Sequence, residues 1–168
     1  YYDMLTENVD YKERCEYIYS LLAENGVGKG ILLDLACGTG TMSMLLSDKG
    51  YDVIGVDASE DMLSVAQEKK MESGKDIMFL CQRMEELDLY GTVDAAVCCL
   101  DSLNYLSELK TLEEAFSRLR YFIRPGGLFI FDVNTHAKFL NLNKQTYLRE
   151  NEDFFCAFGE MKEKESVK

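Results

Sequence analysis

One stretch, Ile31-Leu32-Leu33-Asp34-Leu35-Ala36-Cys37-Gly38-Thr39-Gly40, limits what this chain can become more than any other. Its apolar run suits a strand buried on both faces, and it feeds directly into a turn with two glycines, whose backbone reaches left-handed dihedrals without a steric cost. Helical spacing begins immediately afterwards and predicts a short helix over 41–49 closed by Gly50. Strand, glycine turn and helix in that order form the opening unit of a parallel sheet with crossover helices.

The rest of the chain repeats this alternation. Asp10 is placed to cap a first helix, with Glu13 reaching back and Cys15, Ile18 and Leu22 on one face up to Gly26. The segment YDVIGVD, 51–57, predicts a second strand ending on an acid. Ser59 caps the next helix, Glu60 and Asp61 complement its dipole, and Gly74 stops it after about Ser73. Residues 77–81 and 93–99 predict the third and fourth strands, with a short turn region between them. Thr111-Leu112-Glu113-Glu114 reads as a capping box opening a helix striped by Ala115, Phe116, Leu119 and Phe122. Arg124-Pro125-Gly126-Gly127 then predicts a turn ahead of a fifth strand over 128–133. The expectation is an α/β fold: a doubly wound, mostly parallel five-stranded sheet in one domain over 1–168. Within it, 1–26 make an N-terminal lid and helix, 30–136 a ligand-binding core, and 137–168 an extension whose charged end reads as frayed.

Charge narrows the function. The 18 Lys+Arg against 30 Asp+Glu leave a formal charge of −12 with the one histidine neutral. Polyanion binding draws on clustered Lys and Arg, and no such cluster stands out, so nucleic acid and anionic membrane surfaces are disfavoured as partners. No apolar stretch approaches the roughly 20 residues that span a bilayer, and the opening Tyr1-Tyr2-Asp3-Met4 lacks the basic flank and apolar core of a leader. A cytoplasmic location is the expectation. Cys15, Cys37, Cys81, Cys98, Cys99 and Cys156 read as free buried thiols of a reducing compartment. No Cys-x-x-Cys spacing accompanies Cys98-Cys99, so no metal site is expected.

Ligands of open parallel sheets bind beyond the carboxyl ends of the strands, where strand order reverses. Those tips carry Asp34 with the glycine loop, Asp57-Ala58, Gln82-Arg83-Met84 and Leu100-Asp101-Ser102. Gly38 and Gly40 let a ligand approach the backbone, and Asp57 stands where an acid takes two ribose hydroxyls; together they point to a nucleoside. A plain tight turn and a plain helix cap are the alternative reading. Ser43 keeps a dinucleotide fingerprint alive as a weak match, but a carboxylate at Asp34 would repel a pyrophosphate. It would suit a ligand carrying an ammonium and a sulfonium, as S-adenosylmethionine does.

These residues also carry a resemblance. LLDLACGTG (32–40) is similar to the first signature of the class I S-adenosylmethionine-dependent methyltransferases, with Ala36 in place of a first glycine. VIGVDASEDML (53–63) resembles the second signature, and RPGGLFIFDVNT (124–135) the entry to the fifth strand. With YYDML at the start and LDSLNYL (100–106), the chain looks like the methyltransferase-domain-25-like proteins of small-molecule type, over roughly 1–158. The resemblance implies a Rossmann-like sheet of order 3-2-1-4-5. It implies that Asp34, Ala36, Cys37, Gly38 and Gly40 hold the methionyl part of the cofactor and Asp57 the ribose. Ala58, Met62 and Met84 would line the adenine, the Gln82-Arg83-Met84 turn would meet its exocyclic amine, and Leu100 would complete the cofactor site. Relatives usually place an acid where Arg83 stands; arginine cannot accept from an amine, so Gln82 or a backbone carbonyl would have to substitute. Asp101, Ser102, Asn104 and Tyr105 are the substrate-facing candidates, and Tyr1, Tyr2 and Tyr11 would precede the first helix as a lid. The lone His136 reads as a loop residue rather than a base.

Relatives continue for several tens of residues with an antiparallel hairpin, whereas here one further strand-like run, Phe154-Phe155-Cys156-Ala157-Phe158, is visible, so that part is expected to be truncated. An apolar edge left on the fifth strand would then favour a homodimer. The function expected is methyl transfer to a small molecule. The alternatives are an NAD(P)-dependent oxidoreductase and a non-catalytic nucleoside-binding remnant.

Overall fold

The computed structural model describes residues 10–134, 146–150 and 155–159, the last two stretches by their backbone alone. The chain divides into one unit over 1–133 and another over 134–168. The first holds α1 (Tyr11–Glu24), β1 (Gly30–Leu35), α2 (Thr41–Asp48), β2 (Tyr51–Asp57), α3 (Glu60–Ser73), β3 (Met78–Cys81), β4 (Val93–Cys98), α4 (Leu109–Phe122) and β5 (Ile123–Phe131). The five strands are parallel and lie in the order β3-β2-β1-β4-β5, as the family resemblance implies.

The sheet is covered on both sides because β1 and β4 are apolar at most positions on either face, Asp34 and Asp94 apart. Leu32, Ala95 and Val97 pack with Ile18 and Leu22 of α1 and Met42 and Leu46 of α2. Leu33, Leu35, Ala96 and Cys98 pack with Leu119 and Phe122 of α4. Each fully buried leucine contributes about 1.5–3 kcal/mol relative to exposure. The helix starts follow the sequence at Asp10, whose carboxylate accepts the Glu13 amide at 2.9 Å, and at Ser59, whose hydroxyl accepts the Met62 amide at 3.3 Å. Gly74 ends α3 in the left-handed conformation, φ +68°.

Several expectations give way. The capping box at Thr111-Leu112-Glu113-Glu114 is unused: α4 has begun by Leu109, and the Leu112 amide already donates to the Glu108 carbonyl at 3.1 Å. Tyr11 does not precede α1 but opens it. Arg124-Pro125-Gly126-Gly127 is not a turn ahead of β5 but a bulge within it, since Val93 pairs with Ile123 and Ala95 with Leu128. Asp94 locks that bulge, accepting Arg124 Nε at 2.6 Å and the Ile31 amide at 2.8 Å, and these two bonds hold its carboxyl below the usual range. Cys81 is exposed and Cys99 partly so, because β3 is a short edge strand and residue 99 lies past the end of β4.

In the second unit β6 (Thr146–Glu150) pairs antiparallel with β7 (Phe155–Gly159). Sequence reading finds the run that becomes β7 and misses β6, whose polar and charged residues hide the strand pattern. Tyr1, Tyr2, His136, Phe154 and the tail at 160–168 lie outside the described residues. Among the described residues no helix is long and apolar enough to cross a membrane, and no group of three or more His, Cys, Asp or Glu could hold a metal.

Candidate active site

β1 ends in the turn that delivers its backbone to the carboxyl edge of the sheet. Ala36 sits at φ +58°, Gly38 at φ +54° and Gly40 at φ +74°. For Ala36 that conformation costs roughly 1–2 kcal/mol, offset by the bonds that hold the turn. The Cys37 amide donates to the Val56 carbonyl at 3.0 Å, and the Gly40 amide to the Cys37 carbonyl at 3.0 Å. Lys69 of α3 reaches behind the turn and donates to the Thr39 and Thr41 hydroxyls at 3.1 and 2.8 Å.

Asp57, at the tip of β2, organises the wall opposite. One carboxylate oxygen accepts the Gly38 amide at 2.8 Å and the other the Ser59 amide at 2.9 Å, so a single side chain ties the glycine turn to the start of α3. Its carbonyl accepts the Gln82 amide at 3.0 Å and thereby fixes the turn that follows β3. Three strand tips therefore meet at one residue.

A cleft of about 540 Å³ opens there, within the range of nucleoside-sized sites. Ala36, Gly38, Asp57, Ala58, Met62, Gln82, Arg83 and Met84 all line it. A Cβ built on Gly38 would meet nothing within 4 Å, so the turn leaves open space that a ligand can fill. Beside it lies a small cavity of about 40 Å³, lined by Asp34, Cys37, Leu100 and Cys99, with Ala36, Gly38 and Ser102 shared between the two. Tyr11 lines that small cavity.

Gly40 lines neither space. A Cβ there would come within 2.9 Å of the Phe79 ring and 3.0 Å of Ala66, so its side chain is excluded by packing behind the turn, not by a ligand. Asp101 and Asn104 also line neither, whereas Ser102 and Tyr105 do line the cleft. Leu100 and Asp101 hold left-handed dihedrals, φ +60° and +58°, and the Asp101 amide donates to Asp132 Oδ1 at 3.1 Å. Asp132 Oδ2 meanwhile accepts Arg14 Nη1 at 2.8 Å, joining α1 to the loop after β4.

Asp34 is buried, 2% exposed, and Ser43 donates to its Oδ2 at 2.5 Å. Burial pushes its carboxyl up to about 7; the Ser43 hydroxyl pulls down and the Asp57 charge adds to the rise. Burial likewise pushes the Cys37, Cys98 and Cys99 thiols up, which makes them poor nucleophiles. Sequence reasoning missed Val56, Ser59, Glu85 and Leu106 in the cleft. Ser59 carried a legible signal as a cap, and Glu85 one as an acid in the turn after a strand tip; Leu106 carried none.

Fold and site together define a Rossmann-like α/β protein with an open cleft and a carboxylate at the tip of each of its first two strands. The chain matches the family described as "Methyltransferase domain" over residues 32–127. It is 40% identical over 154 residues to YqeM of Bacillus subtilis (strain 168), a provisionally named methyltransferase, covering 90% of this chain and 60% of that protein. It is 32% identical over 119 residues to the ubiquinone biosynthesis O-methyltransferase of Chromobacterium violaceum, covering 70% and 47%. Among solved structures, an S-adenosylmethionine-dependent methyltransferase from Clostridium acetobutylicum ATCC 824 superposes with TM-score 0.80 at 28% identity, over 93% of this chain and 74% of that one. The chain belongs to the class I S-adenosylmethionine-dependent methyltransferases, and it spans about 60% of the length of YqeM and under half of the other curated relative.

Proposed function

We propose that this chain binds S-adenosylmethionine in the cleft at the tips of β1, β2 and β3 and places a small-molecule acceptor beside residues 100–105. The observation that carries the reading is the double use of Asp57, which fixes the glycine turn and the start of α3 and still has lone pairs for ribose hydroxyls. Gly38 leaves open space beside it, and Met62 and Met84 supply polarisable, apolar surface for a base. Asp34 and the Ala36-to-Gly38 backbone border the small cavity, which suits the charged methionyl end.

S-adenosylmethionine, when bound, supplies an electrophilic methyl whose leaving group is a neutral thioether. The leaving group then needs no acid, so the work of this chain is to align an acceptor and exclude water. Ser102 and Tyr105 line the cleft on the side of β4 and serve that alignment. Asp101 and Asn104 act through the loop itself, whose left-handed backbone the Asp132 carboxylate holds.

Thermal shift with S-adenosylmethionine, S-adenosylhomocysteine and NAD tests the reading, because a ligand that binds only the native state raises Tm. The two adenosyl compounds should raise it and NAD should not. A rise with NAD alone would favour the oxidoreductase class instead.

A further inference from the structure

We propose that Arg14 of α1 is a positioning residue for the acceptor side of the cleft: acting through Asp132, it holds the loop after β4 in its left-handed form before any ligand arrives. The assignment rests on the reading above that residues 100–105 meet the acceptor. That loop is strained. Leu100 and Asp101 follow one another at φ +60° and +58°, a conformation that residues with a Cβ seldom adopt singly and still less in succession. Without a restraint the segment relaxes to right-handed or extended backbone, and Ser102, which lines both cavities, and Tyr105 leave their places with it.

Asp132, just past β5, supplies the restraint. Its Oδ1 accepts the Asp101 amide at 3.1 Å, and its own amide donates to the Cys98 carbonyl at 3.3 Å, which ties it to the last residue of β4. A carboxylate held by one bond can still turn about its broad terminal torsion. Arg14 Nη1 stops that rotation by donating to Oδ2 at 2.8 Å. Arg14 lies three residues after Tyr11, hence beside it on α1, and Tyr11 lines the small cavity together with Cys99, Leu100 and Ser102. Helix and loop share that cavity and are bridged by one ion pair. The side chains of the pair are 40% and 36% exposed, so it adds little to the stability of the whole fold. Its effect is local: a loop already ordered spares an incoming ligand the entropy of ordering it.

Amide hydrogen exchange of the wild-type chain, Arg14→Met and Asp132→Asn, followed by NMR without ligand and with saturating S-adenosylhomocysteine, tests the assignment. Methionine keeps an apolar stem and drops the guanidinium; asparagine keeps an acceptor for the Asp101 amide and drops the charge. Without ligand, the Asp101 amide should exchange about three- to tenfold faster in either variant, while amides of β1 and β2 that open only on global unfolding keep their rates. The double variant should exchange no faster than the faster single one, because both changes break the same link. With ligand, the variant rates should return toward the wild-type rate, and calorimetric affinity should fall by about two- to fivefold, since ordering has moved from folding to binding. Unchanged exchange at Asp101 in Arg14→Met overturns the role of Arg14. An acceleration shared by β1 and β2 overturns it too, because that marks plain loss of stability. Rates that multiply in the double variant overturn the link through Asp132. A wild type that does not bind S-adenosylhomocysteine overturns the reading of the cleft and the acceptor role of the loop with it. Should Asp132→Asn fail to fold, the same comparison of Asp101 with β1 and β2 in Arg14→Met decides.

Discussion

The two ends of the cleft are built differently. At the tips of β1 and β2 the polar groups are buried or half-buried and bonded to one another: Asp57 to the Gly38 and Ser59 amides, Asp34 to Ser43. Past β4 the chain runs through two left-handed residues, and Tyr105 stands 86% exposed at the rim. The first region has one arrangement open to it, because moving any member leaves a buried partner without its bond. The second holds its backbone through Asp132 and presents the exposed Tyr105 ring at the rim to ligands of different shape. A rigid half suits a cofactor that never changes, and an open half suits an acceptor that varies across a family.

The sharpest way to break this contrast is Asp57→Ala. It removes a charged acceptor for ribose and the acceptor of two backbone amides, so S-adenosylhomocysteine affinity should fall by about 1.5–3 kcal/mol. Calorimetry beside urea unfolding separates the two losses. Unchanged affinity in a folded variant would remove Asp57 from the nucleoside.

A smaller effect should appear with pH. The Asp34 carboxyl is raised to about 7, first by burial, so the folded chain keeps a proton there that the unfolded chain has lost. Its contribution to stability is therefore full below its ordinary value of 3.8 and is lost as pH rises through about 7. A cationic ligand favours the ionised form. The affinity of S-adenosylmethionine relative to the neutral thioether S-adenosylhomocysteine should thus grow by about threefold between pH 6 and 8 by Coulomb attraction. Asp34→Asn should flatten that ratio. A flat ratio in the wild type would mean that Asp34 does not sense the sulfonium, and its charge could no longer be used to argue against a pyrophosphate.

Tyr105→Ala should do least. Its side chain is exposed, so the unfolding midpoint should hold and S-adenosylhomocysteine affinity should change by less than about threefold. A tenfold loss would show that the rim belongs to the rigid half after all.

Much of this was legible along the chain because the signals are local. The apolar run into Gly38 marks β1 and its turn, the acid closing YDVIGVD marks the tip of β2, and Ser59 with Glu60 and Asp61 marks a helix start. Each depends on residues a few positions apart, which is the distance over which backbone sterics and capping act. The capping box at Thr111 failed for a related reason: a cap pattern says where a helix can begin, and α4 had already begun at Leu109.

What only the tertiary structure decided are the pairings between distant segments. Nothing near Gly40 shows that Phe79 and Ala66 exclude its side chain. Nothing near Asp132 shows that it joins Arg14 to the Asp101 amide. The sequence by itself determined the succession of the first five strands and their helices along the chain and the two acids at the first strand tips, because periodicity and turn chemistry are written in neighbouring residues. Which acceptors face the cleft, and which carboxyl is pushed toward neutrality, were decided when the sheet brought those tips together, since burial and hydrogen bonding exist only between segments already in place.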